Sequence, residues 1–125
     1  MKKFTSEHEW IEVSGNTGTV GISDYAQKQL GDVVYVTMTK KVGDTVKKGE
    51  AVAEVESVKS VSEIYSPVSG KLSMFNETFL DEANSGLINQ DPYGGGWIFK
   101  IEVSDSAELN ALMDEKAYGD YIKTL

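Results

Sequence analysis

Turn-forming residues recur so often along this chain that no strand-like run can grow long. Between Trp10 and Val103, short apolar or alternating runs are cut by Gly15-Asn16, Gly18, Gly31, Gly43-Asp44, Gly49, Pro67, Gly70 and Gly94-Gly95-Gly96. Glycine, asparagine and aspartate accept the backbone angles of tight turns, and proline cannot donate to a strand ladder. The runs left between them read as strands over Trp10–Val13, Thr19–Ile22, Val33–Met38, Ala51–Val55, Ser62–Ser66, Lys71–Phe75 and Trp97–Val103. In the last, Trp97, Phe99 and Ile101 fall on one face and Ile98, Lys100 and Glu102 on the other. Helical signals are few. Ser23 caps a predicted helix over Asp24–Leu30, with Gly31 just past its end. Asn76–Gly96 reads as a long loop. A helix capped by Ser104 or Ser106 runs to about Met113, and a short helical piece covers Lys116–Ile122. Many short strands with helices only near the ends of the sequence predict a barrel or sandwich, not parallel βαβ units.

Composition narrows what such a fold can do. The chain of 125 residues has no cysteine, which excludes a thiolate metal site, a cysteine nucleophile and protein-borne disulfide chemistry. Its one histidine, His8, cannot build a multi-histidine metal site, and is expected to pack or hydrogen-bond near Trp10. Trp10 and Trp97 are expected to pack in the core or its rim. All twelve basic residues are lysines and the net charge is −8, so nucleic acid and anionic membranes are disfavoured as partners. The acidity suits docking on basic protein surfaces. No apolar run is long enough for a membrane span and no secretory signal is read at the start, so a cytoplasmic protein is expected.

One turn conflicts with turn chemistry. In Glu54–Gly70, EVESVKSVSEIYSPVSG, two strand-like runs flank Ser57-Val58-Lys59-Ser60. A tight hairpin favours Asn-Gly or Asp-Gly at its tip. Here a β-branched apolar residue sits beside a lysine, an arrangement that a type I turn tolerates because it needs no positive φ. Local conflicts of this sort are enriched at functional sites.

The wider pattern, VGDTVKKGE at Val42–Glu50, ESVKS at the tip and SPVSG at Ser66–Gly70, resembles lipoyl and biotinyl carrier domains. Within them the chain resembles the glycine cleavage H-protein family. SEHEW at Ser6–Trp10, GISDYAQKQLGDVVYV at Gly21–Val36 and LINQDPYGGGWIFKIEV at Leu87–Val103 carry the likeness, which covers essentially the whole chain. The methionines that flank a biotinylated lysine and the Asp-Lys-Ala tip of 2-oxoacid dehydrogenase lipoyl domains are both absent. Ser60 stands where the family commonly has alanine, Gln29 where some relatives carry histidine, and Glu7 where some have a small polar residue.

The resemblance implies a mainly β fold: a flattened barrel-sandwich hybrid of two small antiparallel sheets with short flanking and C-terminal helices, residues 1–125 forming one lipoyl-carrier domain. It implies lipoic acid joined by an amide to Lys59, and no metal or catalytic residue. It implies a monomeric shuttle that takes an aminomethyl group from the pyridoxal-phosphate glycine decarboxylase (P protein) to the tetrahydrofolate-dependent aminomethyltransferase (T protein). Dihydrolipoyl dehydrogenase (L protein) then reoxidises it, and a lipoyl-attaching enzyme is the remaining partner. Glu9 and Glu63 are the expected contacts for the arm or its aminomethyl cargo. Two rival readings are an H-like lipoyl donor or relay serving other systems, and an unmodified interaction module. An autonomous enzyme lacks a nucleophile–base pair.

Overall fold

The computed structural model describes residues 2–125. Among the described residues, nine strands form two antiparallel sheets. The larger holds β1 (Lys2–Phe4), β2 (Glu9–Ser14), β3 (Thr17–Ile22), β5 (Thr45–Val46), β8 (Gly70–Phe75) and β9 (Phe99–Val103), in the order β1-β2-β3-β9-β8-β5. The smaller holds β4 (Val33–Met38), β6 (Ala51–Ser57) and β7 (Val61–Tyr65), in the order β4-β6-β7. Neither closes into a barrel. β7 therefore keeps one free edge.

Alternation explains the core. Ile11, Val20 and Ile22, with Leu72, Phe99 and Ile101, come from the larger sheet and join Val36, Val55 and Ile64 of the smaller in one buried cluster. Trp10, one residue from Ile11, belongs to the second cluster, with Phe4 and Tyr118. Its indole N–H donates to the Pro92 carbonyl at 3.0 Å. Gly70 is required where β8 pairs with β9, because a Cβ there would run into the Glu102 carbonyl oxygen.

Helix α1 spans Asp24–Leu30 with the expected Ser23 cap, whose Oγ accepts the Ala26 N–H at 3.1 Å. Several sequence expectations need correction. The stretch Asn76–Gly96 is not a bare loop: it holds two 3₁₀ turns, Glu77–Leu80 and Glu82–Asn84, and a short helix α2, Leu87–Gln90. Phe79 and Ile88 anchor it in the core, so tertiary burial supports turns too short for a helical period to register. The segment after β9 is 3₁₀ over Ser106–Ala111, and Asp105, not a serine, caps it. The C-terminal helix α3 spans Glu115–Ile122. The last strand begins at Phe99. Ile98 precedes it and is buried too, its N–H held by the Val20 carbonyl at 2.7 Å. β1 and β5 were not expected, being too short to show alternation.

Candidate functional site

Lys59 stands exposed at the tip of the β6–β7 hairpin. Ser57 builds the turn. Its N–H donates to the Ser60 carbonyl at 2.8 Å, and its Oγ accepts the N–H groups of Lys59 at 3.3 Å and Ser60 at 3.2 Å. A serine hydroxyl thus replaces the Asn-Gly chemistry the tip lacks. Among the described residues, His8 is the one non-glycine residue at positive φ, so the tip adopts no left-handed residue.

The tip rests on the connection between α1 and β4. The Val58 N–H donates to the Asp32 carbonyl at 3.1 Å. The Lys59 stem lies across Gly31, its Cε 3.1 Å from where a Cβ would stand. Gly31, at φ +77°, tolerates both the backbone and the contact. From there a cleft of about 340 Å³ runs beside β7. Ile22, Ala26, Leu30 and Ile64 give it apolar walls, and Glu63 and Glu7 line it with His8. A second cleft of about 410 Å³ adjoins it, sharing Glu7 and Tyr65, and holds Glu9, Thr5 and Lys48.

The two expected carboxylates differ in environment. Glu63 is exposed on β7, directly across from Glu54. Glu9 is only 2% exposed. Its carboxylate accepts the Thr5 hydroxyl at 2.5 Å and the Tyr65 N–H at 3.3 Å. Burial raises its pKa to about 7 against these hydrogen bonds, so near neutral pH it is divided between acid and anion. Tyr65 joins the two clefts. Its hydroxyl is pushed above the usual phenol range, first by the Glu63 charge, with Glu7 and Glu9 adding to it. The structure therefore brings Glu7, Glu9 and Glu63 around one tyrosine, a potential that favours a cation. Among the described residues no group of three His, Asp or Glu side chains could hold a metal ion.

His8 hydrogen-bonds into the cluster that holds Trp10, as expected. Its Nδ1 meets the Tyr118 hydroxyl at 2.8 Å, and burial lowers its pKa, keeping the ring neutral at pH 7. Trp10 is core, 1% exposed, and Trp97 is partly buried with the Lys100 ammonium 5.1 Å from its ring centre. The sequence reading missed Tyr65 and Thr5. Tyr65 carried a weak signal, two residues beyond Glu63 and on the same strand face; Thr5 carried none.

A family model described as glycine cleavage H-protein matches residues 2–125. The glycine cleavage system H protein of Thermotoga maritima is 51% identical over 121 residues, covering 97% of this chain and 95% of that protein. The protein of the same name from Paramagnetospirillum magneticum is 52% identical over 124 residues, 99% and 97% of the two chains. The crystal structure of a glycine cleavage system H protein from Mycobacterium marinum superposes with a TM-score of 0.86 at 32% identity, over 98% of this chain and 96% of that one.

Proposed function

The chain belongs to the glycine cleavage H-protein family, whose members are lipoyl carriers rather than enzymes, and on that premise we propose that Lys59 bears the lipoyl group. The observation that carries this is an exposed lysine at a hairpin tip whose stem lies over Gly31, the neighbour of Leu30 in the wall of a cleft with apolar and acidic lining. The fit is one of length and chemistry. An extended lipoyl-lysine arm reaches roughly 14 Å, and the four residues from Lys59 to Glu63 span at most about 14 Å even if fully extended. Apolar walls suit the arm's methylenes, and the carboxylates suit an ammonium.

When bound, the lipoyl group supplies a strained cyclic disulfide that takes up the aminomethyl cargo and later releases it. The chain's residues attach, aim and shelter. The unprotonated Lys59 amine attacks an activated lipoyl acyl donor, forming the amide as the leaving group departs. Glu63 is placed to meet a cationic cargo at the end of the arm, and Glu9 lies further along at Tyr65. A cation beside Glu9 favours its ionised form, so cargo and carboxylate stabilise each other.

As a component of the glycine cleavage system the protein meets the other components. We place that contact on the outer face of the smaller sheet. The register sets Tyr35, Glu56 and Val61 side by side in one row and Thr37, Glu54 and Glu63 in the next. Val61 is 56% exposed and Val58 68%, beside Lys59. None of the ion pairs among the described residues uses Glu54, Glu56 or Glu63. An apolar patch ringed by carboxylates suits the glycine decarboxylase, the aminomethyltransferase, dihydrolipoyl dehydrogenase and the lipoyl-attaching enzyme if each offers basic groups around its opening. The chain acts in this reading as one monomeric unit in the cytoplasm.

Lys59→Arg keeps the charge and the fold but removes the acceptor amine. Intact mass measurement after incubation with a lipoate ligase, lipoate and ATP should give one lipoyl group on the wild type and none on the variant. Modification of the variant, or of another lysine in the wild type, would overturn the assignment.

A further inference from the structure

The residue that aims the tip is not on the hairpin. We propose that Asn89 is a positioning residue for Lys59, holding the connector on which the hairpin tip rests; the inference depends on Lys59 as the lipoyl site. The Asn89 amide nitrogen donates to the Gly31 carbonyl at 2.8 Å and to Gln27 Oε1 at 3.0 Å. Its Oδ1 accepts the Val33 N–H at 2.9 Å. One side chain from α2 therefore grips α1, the glycine at its end and the first residue of β4. The opposite amide orientation would set oxygen against the Gly31 carbonyl and nitrogen against the Val33 N–H, so the donor pattern fixes the assignment.

Only Gly31 and Asp32 lie between α1 and β4, and both carry the tip. The Asp32 carbonyl receives the Val58 N–H, and Gly31 underlies the Lys59 stem. The bonds centred on Ser57 shape the turn but travel with the hairpin, so they cannot aim it relative to the cleft. A glycine has the widest backbone freedom of any residue. Without Asn89, what holds Gly31 is its own N–H bond to the Gln27 carbonyl at 3.0 Å. Gln27 is held in turn by Asp24 Oδ1 at 2.8 Å, so Asn89 completes a chain of hydrogen bonds from the start of α1 to the modified turn.

Asn89→Asp preserves shape and the acceptor for Val33 but removes both donors. With lipoate, ATP and a lipoate ligase acting on apo protein, its kcat should fall about five- to tenfold while KM stays within about twofold, since the amine is misplaced but the docking face is intact. Amide hydrogen exchange should speed about tenfold at Val58, the donor to Asp32, and stay unchanged at the ladder positions Val55 and Ser62. Asn89→Ala removes the same donors without adding a charge and leaves the hairpin and its docking face untouched. It should lower kcat alike, which keeps the proposal testable if Asn89→Asp folds poorly. An unchanged kcat, unchanged Val58 exchange, or loosening shared equally by Val55 and Ser62 would overturn the proposal. Wild type lacking lipoyl at Lys59 by peptide mass mapping would remove the premise and the inference together. A wild type modified there beside an unaffected variant would overturn the role of Asn89 alone.

Discussion

A carboxyl buried to 2% exposure and titrating near pH 7 makes Glu9 a stability determinant as well as a candidate site residue. In the unfolded chain its pKa is near 4.5. Below that value the group is protonated in both states and adds no slope. Between 4.5 and about 7 the unfolded chain sheds the proton while the folded chain keeps it, so stability falls as pH rises. The loss is complete above the folded pKa and amounts to about 3 kcal/mol. Glu9→Gln can set its one amide oxygen on the Tyr65 N–H while its amide N–H donates to Thr5 Oγ, and it removes this slope. Urea melts at pH 5 and pH 8 should therefore find the variant's advantage larger at pH 8; an equal difference at both would show that Glu9 titrates normally. The same variant, and Glu63→Gln, should release formaldehyde faster than wild type from isolated cargo-loaded protein. Equal decay in all three would limit any shelter to packing. The SEHEW motif pointed to Glu9 from the sequence. Its burial was illegible there, because Tyr65 reaches it across 56 positions.

In the β6–β7 hairpin, Glu54 lies directly opposite Glu63, a pairing that sheets avoid. Like charges facing each other beside exposed Val58 and Val61 suggest that this surface is shaped for a partner rather than for stability. Glu54→Gln should therefore raise stability by about 0.2–1 kcal/mol. It should also slow association with the glycine decarboxylase and flatten the salt dependence of kon, measured by stopped flow. An unaltered kon would move the docking face elsewhere. The strand alternation behind this face was readable in the sequence, and so was α1 with its serine cap and trailing glycine. The 3₁₀ turns over Glu77–Asn84 were not, since three or four residues set no period and Phe79 is held by burial.

Across the whole molecule, α3 joins the two ends of the chain to the site. Phe4 and Met113 exchange N–H···O bonds of 2.7 and 2.9 Å, and the Phe4 ring stacks on Tyr118 at 4.3 Å. The Tyr118 hydroxyl meets Ser23 Oγ at 2.6 Å and His8 Nδ1 at 2.8 Å, tying the C-terminal helix to the α1 cap and the edge of the cleft. Tyr118→Phe keeps the stack and removes both bonds, leaving a fully buried serine short of one partner. It should cost about 1–3 kcal/mol. A lower urea midpoint at constant m would confirm a local loss, whereas a changed m would mean a wider rearrangement.

The sequence by itself determined the strand-rich fold, the α1 helix and the lysine at its turn, because alternation, caps and turn residues act over a few neighbouring positions. The family motifs added the carboxylates. Only the tertiary structure decided which groups converge. Tyr65 meets Glu9 across 56 positions, Asn89 meets Gly31 across 58, and Tyr118 meets His8 across 110. Each contact is a hydrogen bond between segments whose local patterns carry no trace of the partner, so it exists only once distant parts of the chain have folded together.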